Sequence, residues 1–392
     1  MTTQPYIVTG YRTAVGKADK GGFASTRPDD LAVEVIQYLL KQVPDLDPQR
    51  IDDVIIGNAV PEAEQGMQMA RWIALMAISK DIPGVTINRY CASGLEAIAM
   101  AHGKIGMGMA DCILAGGTES MSLVPTRGWK TSPNYKLAKN YADYFLSMGL
   151  TGEEVARDYE ISREDQDEFG LRSHRRAVKA IEEGYFKEQI VPVEVEENYV
   201  EDGESKRRTH VVDTDEGPRS DTSLEVMAKL PPSFKKNGTV TPGNASQRSD
   251  GAAIALLMSE EMVKEHNLEP AARLVGCAVA GVNPRIMGIG PTAAVPKVLE
   301  QTGLSLDDID LIELNEAFAA QSLAVIRELE MDMEKVNVNG GAIALGHPLG
   351  CTGCKLTVQM IHELRRRKKQ YGMITACVGG GQGIAGVIEL LN

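Results

Sequence analysis

The chain has 392 residues, and its 41 Lys+Arg against 54 Asp+Glu leave a formal net charge of −13. At about 150 residues per domain this length holds two or three domains, and 43% hydrophobic with 24% charged residues is the composition of an ordinary globular protein. The acidic balance excludes wholesale nucleic-acid binding, which needs clustered positive charge, and six cysteines are too few for a disulfide scaffold.

Short apolar runs alternate with helical patterns along the chain, which indicates an α/β build. Residues 6–10 read as a first strand. Over 29–43, Leu31, Val35 and Leu39 fall at i, i+4 and i+8, predicting an amphipathic helix stopped by Pro44. Strands are expected at 54–57 and 85–87, then a helix rich in small residues over 94–107. A buried strand over 112–115 runs into Gly116-Gly117. Between about 118 and 250 the texture changes, as for an insertion or cap. Ser162 is placed to N-cap a charged helix reaching about residue 185, whereas 196–220 is charged, has little apolar periodicity and reads mostly as surface loop. A strand pattern returns at 251–258.

The remainder echoes the beginning. Leu306-Asp307-Asp308-Ile309-Asp310-Leu311-Ile312 resembles the stretch from Leu46 to Ile55, and each leads to an asparagine, Asn315 and Asn58. Cys91-Ala92-Ser93-Gly94, helix, strand and Gly116-Gly117 correspond to Gly350-Cys351-Thr352-Gly353, helix, strand and Gly379-Gly380. Two duplicated halves are expected, divided as 1–120 plus 251–270, the inserted 121–250, and 271–392. Glycine, at 39 residues against a usual ~7%, bunches near the C-terminus, where backbone approaches a ligand or another strand.

Two glycine clusters carry no site. Gly10 with Gly16-Lys17 is one residue too long for a phosphate loop and has Ala18 where a Ser/Thr is needed; Gly106-Met107-Gly108 follows a helix rather than a strand. Cys351 and Cys354 have C-x-x-C spacing without a second ligand pair, so they are expected to pack a helix start and no metal is expected.

Cys91 lies between a strand and a helix. It is either a buried strand-end residue or a thiol at a helix N-terminus, where dipole and free N–H groups favour thiolate. His347 is held between Gly346 and Pro348 in a glycine-rich turn before a helix. Cys377 ends a strand opening onto Gly379-Gly380-Gly381, a turn able to aim backbone N–H groups at an anion. In Asn315-Glu316-Ala317-Phe318 the asparagine is either an N-cap or a polar site residue.

Together these segments resemble the thiolase family over essentially the full length: the cysteine segment, Asn-Glu-Ala-Phe, Gly-His-Pro and the terminal Cys-Val-Gly-Gly-Gly-Gln-Gly stand in the family's order and spacing. The resemblance implies a duplicated core layered α/β/α/β/α with an inserted loop domain. It implies acyl transfer between coenzyme A thioesters through an acyl-cysteine on Cys91. His347 would activate Cys91 and stabilise the thioester oxygen, with Cys377 as second acid/base. Asn315 would hold a water that joins His347 in one oxyanion hole, the N–H groups of Cys91 and Gly379 forming another. Residues 121–250 would cover the site and bind coenzyme A as co-substrate. Ser246 would contact the pantetheine and Arg219 the adenine, with Met148, Ala317 and Phe318 also at the coenzyme A.

Ser147-Met148-Gly149 departs from the His-Met-Gly of biosynthetic thiolases and favours the degradative type, a 3-ketoacyl-CoA thiolase of fatty acid β-oxidation. The alternative is a biosynthetic acetyl-CoA C-acetyltransferase. Related ketosynthases, which use carrier protein, lack the Cys377 and Asn-Glu-Ala-Phe features. A non-catalytic lipid carrier of this fold would lack one of Cys91, His347 or Cys377. A homodimer or homotetramer is expected, with a β-oxidation enzyme as a further partner. With no secretory signal, no apolar run of 18 residues and no lipidation or peroxisomal tag in the sequence, the expected location is the cytoplasm, without membrane or nucleic-acid partners.

Overall fold

In a computed structural model describing residues 3–391, the expected first strand extends in both directions to become β1 (Pro5–Thr13). Helix α1 (Pro28–Gln42) starts with proline at its first position and Asp29 and Asp30 in its first turn, where the helix dipole favours acids. Its buried stripe is Leu31, Val35, Ile36 and Leu39. Then come β2 (Asp53–Gly57), α2 (Met69–Ala77), β3 (Gly84–Ile87), α3 (Ser93–Gly106) and β4 (Cys112–Ser120).

The chain leaves the main strand path at Ser120 and rejoins it at Ser249, touching the sheet in between only where Ile190 and Val191 pair parallel with Arg12 and Thr13 of β1. In this excursion lie α4 (Met148–Asp158) and α5 (Arg163–Glu182), the latter N-capped by Ser162, whose hydroxyl accepts the Asp165 N–H at 3.0 Å. The segment expected as surface loop is instead a hairpin of β5 (Val193–Glu201) and β6 (Glu204–Val212). Only its root is buried, through Val193, Val195 and Val212, so apolar periodicity is absent from the rest. Cross-strand ion pairs of Glu196 with Arg207 and Glu197 with Arg208 take its place. The turn is Asp202-Gly203, both at positive φ, a hairpin signal present in the sequence.

The return strand β7 (Ser249–Ser259) pairs antiparallel with both β1 and β4, and β4, β2 and β3 run parallel. The second half repeats the pattern with β8 (Ala272–Gly281), α6 (Gly290–Thr302), β9 (Leu311–Leu314), α7 (Ala319–Glu328), α8 (Leu349–Arg367), β10 (Tyr371–Val378) and β11 (Gln382–Leu390). Strand order is β1-β7-β4-β2-β3 in one half and β8-β11-β10-β9 in the other. Val336 bridges parallel to Ile312 of β9, the place that β3 fills in the first half. The halves join into one path through the pairing of Ile7 with Ala272.

Three buried layers separate the elements. Leu31, Val35 and Ile73 of α1 and α2 pack on Val54, Ile56 and Leu256. Leu95 and Ile98 of α3 and Leu356 and Met360 of α8 lie between Ile55 and Ile113 on one side and Ile374 and Ile388 on the other. Val295, Val298 and Leu323 of α6 and α7 cover Ile312 and Val387. The order is α/β/α/β/α, with α3 and α8 in the middle. Glycine sets their approach: a Cβ on Gly94 would lie 2.7 Å from the Cys354 backbone nitrogen, and one on Gly353 would lie 2.3 Å from that of Leu95. Backbone contact of α3 with α8 brings the turns that precede them, one with Cys91 and one with His347, to the same end of the central layer. Among the described residues no helix is long and apolar enough to cross a membrane.

Candidate active site

A single 3₁₀ turn, Tyr90–Ala92, carries Cys91 between β3 and α3. Tyr90 has φ +44°, a left-handed conformation that costs on the order of 1–3 kcal/mol in a non-glycine residue. Side chains hold it there. The Asn88 Oδ1 accepts the Tyr90 N–H at 2.8 Å, and the Ser93 hydroxyl accepts the Arg89 N–H at 2.8 Å while donating to the Tyr90 carbonyl at 2.7 Å. Cys91 is left 8% exposed. Burial pushes its thiol up to about 11, although the N–H groups of Gly379 and of Cys91 itself donate toward the sulfur and pull it back; the Glu119 carboxylate adds to the rise. The helix-start donors expected to favour thiolate are therefore present, but burial outweighs them and the resting group is a thiol. Below that value the thiolate fraction rises with pH. Alkylation of the free enzyme at Cys91 by iodoacetamide should accelerate about tenfold per unit up to about pH 10; a plateau near pH 8.5, as for an ordinary thiol, would contradict this.

Gly346 turns the chain into His347 at φ +93°, and a Cβ there would meet the Ser249 hydroxyl at 2.3 Å. The His347 N–H is shared between the Gln247 carbonyl at 3.2 Å and the Ser249 hydroxyl at 3.1 Å. The Nδ1 of the imidazole lies 2.6 Å from the Thr352 hydroxyl, which donates its one proton to the Pro348 carbonyl at 2.8 Å. Thr352 must then accept, which assigns the proton to Nδ1 and leaves Nε2 with a lone pair. Burial, with the charge of Lys355, pulls the imidazole down to about 3, so it is neutral at neutral pH. The Asn315 Nδ2 lies 3.3 Å from Nε2. Asn315 is not the N-cap of α7, a position that Phe318 occupies, and its amide faces His347. Its Oδ1 is buried without a partner among the described residues.

Cys377 is fully buried near the end of β10, and burial together with the neighbouring Cys91 charge drives its thiol well above the ordinary value. The turn beyond it has Gly380 and Gly381 at positive φ, and a Cβ on Gly381 would meet the Val282 carbonyl at 2.4 Å. Gly379 presents its N–H to Cys91, and its Cβ position faces the Tyr90 ring and the Met148 sulfur. Ala317, Phe318, Met287 and Met148 form an apolar wall around Cys377. Ser246 joins this wall through its N–H to the Ala317 carbonyl at 3.0 Å. Arg219 stands apart: its side chain is 63% exposed and pairs with Asp221 at 3.5 Å, and its backbone N–H donates to His174 Nδ1 at 3.1 Å.

Two contributors were missed in the sequence. Glu119, at the end of β4, accepts the N–H groups of Ala59 and Gly350, each at 2.8 Å, and the Gln65 amide at 2.9 Å, bracing the start of α8 beside Cys91. The visible signal was an acid two residues beyond Gly116-Gly117, at the end of a strand that begins apolar. Thr352, which orients His347, was visible only as a small polar residue one turn into the following helix. Cys351 and Cys354 are buried on α8 against α3, as packing residues.

Residues 5–261 match the thiolase N-terminal domain and residues 268–390 the thiolase C-terminal domain. The chain is 53% identical over 386 residues to the 3-ketoacyl-CoA thiolase of Bacillus subtilis (strain 168), covering 98% of each. It is 44% identical over 400 residues to the acetyl-CoA acetyltransferase of Escherichia coli (strain K12), covering 98% of this chain and 99% of that one. The crystal structure of the Bacillus anthracis acetyl-CoA acetyltransferase matches with a TM-score of 0.90 at 43% identity, over 100% of this chain and 99% of that one. The protein belongs to the thiolase family of acyltransferases.

Proposed function

We propose that this protein is a degradative thiolase: it cleaves 3-ketoacyl-CoA with coenzyme A to a shortened acyl-CoA and acetyl-CoA, and catalyses the reverse Claisen condensation, through acyl-Cys91. The observation that carries the acyl-transfer chemistry is the convergence of two buried thiols and the Gly379 N–H beside an apolar wall. Nε2 of His347 takes the Cys91 proton, and the sulfur attacks the C3 ketone. The resulting oxyanion is held by donors fixed in a buried site, where loss of one typically costs about 100–1,000-fold in rate. Those donors are the Cys91 and Gly379 N–H groups in one hole, and a water on Asn315 with His347 in the other. Collapse breaks the C2–C3 bond, and the departing acetyl-CoA carbanion takes the Cys377 proton. Incoming coenzyme A then gives its thiol proton to Cys377 and attacks acyl-Cys91, and the released Cys91 sulfur recovers its proton from His347.

Sulfur suits both steps, because exchange between thioesters is nearly isoenergetic and acyl-cysteine stays reactive. We read residues 121–250 as the coenzyme A-binding insertion. Ser246, Met148, Ala317 and Phe318 face the pantetheine end, and exposed Arg219 reaches the adenine. The half formed by 1–120 and 251–270 supplies Cys91, and 271–392 supplies His347 and Cys377. The working form is a cytoplasmic homodimer or homotetramer acting beside other β-oxidation enzymes, with no tightly bound cofactor and no metal.

The degradative assignment rests on Ser147, a small side chain in place of an imidazole just before α4, which leaves room for an acyl tail. Each buried CH₂ contributes up to about 0.8 kcal/mol, so two more carbons should raise kcat/KM roughly tenfold. The test is kcat/KM for the thiolysis of four-, six-, eight- and ten-carbon 3-ketoacyl-CoA. A drop of more than about tenfold from four to six carbons would reject the degradative reading in favour of the biosynthetic acetyltransferase.

A further inference from the structure

Arg89 stands between β3 and the Cys91 turn, and no step of the reaction above uses it. Its side chain is 29% exposed, and one edge of the guanidinium grips Glu96 on α3: Nε donates to Oε2 at 2.8 Å and Nη2 to Oε1 at 2.9 Å. This bidentate pair fixes the plane of the fork. The remaining nitrogen, Nη1, donates to the side-chain oxygen of Gln382 at 3.2 Å, crossing from one half of the molecule to the other. Gln382 opens β11, directly after the three glycines, and its amide nitrogen reaches back to the Gly379 carbonyl at 3.5 Å.

An amide has one accepting and one donating end. With its oxygen held by Arg89, Gln382 can turn only its NH₂ toward Gly379. The constraint matters because consecutive glycines hold no conformation of their own. On the other side Gly379 meets the Tyr90 ring and Met148, which supply contact but no hydrogen bond. The path Glu96–Arg89–Gln382 thus ties the glycine turn to the helix that follows Cys91, so that donor and nucleophile share one frame.

We propose that Arg89 is a positioning residue for the Gly379 N–H, acting through Gln382 and anchored by Glu96. The proposal rests on the reading of Gly379 as an oxyanion donor. It is tested with Arg89→Met, Gln382→Leu, the double variant and Glu96→Gln, in steady-state thiolysis of acetoacetyl-CoA. Each of the first two should lower kcat by about tenfold or more with KM for coenzyme A changed less than about twofold, because the lost alignment acts in the transition state. The double variant should lose no more than the worse single variant, since both changes break one path. Glu96→Gln still offers Arg89 an acceptor; it should lower the thermal midpoint while losing less kcat than Arg89→Met.

Multiplying losses in the double variant, or equal kcat losses in Glu96→Gln and Arg89→Met, would overturn the proposal. If Arg89→Met fails to fold, Gln382→Leu, which leaves the ion pair in place, decides: unchanged kcat refutes, a kcat loss at constant KM supports. Thiolysis by the unaltered enzyme, and its loss in Cys91→Ala, test separately the proposed acyl-Cys91 reaction on which the reading of Gly379 depends.

Discussion

Cys377→Ser is expected to divide the reaction in two: acetyl transfer from acetyl-CoA to Cys91 continues, while carbon–carbon cleavage and condensation fall by about 10²–10⁴, the usual worth of a positioned acid or base. The division follows from what each step expels. Acetyl transfer releases a coenzyme A thiolate, and although Cys377 exchanges a proton with that thiol in the full cycle, the thiolate is a stable anion that leaves without it and needs no acid at carbon. Cleavage releases a carbanion, which must be protonated where it forms. The fully buried Cys377 thiol is held well above its ordinary value, so it keeps its proton until such a base appears beside it. Serine fits the same space, but its hydroxyl is a far weaker acid. Acetylation followed by mass spectrometry, set against steady-state thiolysis, separates the steps. Equal losses in both would contradict the division of roles.

Cys91→Ala carries the largest expected effect: both half-reactions fall together, by roughly 10⁵–10⁶-fold, the scale of losing a covalent nucleophile. No other group takes its place. His347 is neutral and hydrogen-bonded by Thr352, and Cys377 lies deeper, with no exposure. Fold loss cannot account for such an effect, because the turn is held by Asn88 and Ser93 rather than by the cysteine side chain. An unchanged thermal midpoint should accompany the lost activity.

Much of this was legible in the chain because its signals are local. A strand, a short turn and a small-residue helix marked Cys91; Gly346 and Pro348 marked a constrained His347; and the repeated pattern in two segments anticipated a core whose halves share strand order. What could not be read depends on distant parts meeting. Glu119 binds Gly350 from 231 positions away, and the contact of Gly94 with Cys354 exists only once both halves are packed. The state of the Cys91 thiol depends on how deeply other segments cover it, which a helix-start rule alone does not show. The β5–β6 hairpin was hidden because an exposed ribbon carries no apolar stripe, although Asp202-Gly203 announced its turn.

The central claim is that Cys91 carries the acyl group. Incubation with acetyl-CoA, followed by proteolysis and mass spectrometry, tests it most directly. The account predicts acetyl on the peptide that contains Cys91, and none on that peptide in Cys91→Ala. Acetyl found only on Cys377, or full activity in Cys91→Ala, would contradict it.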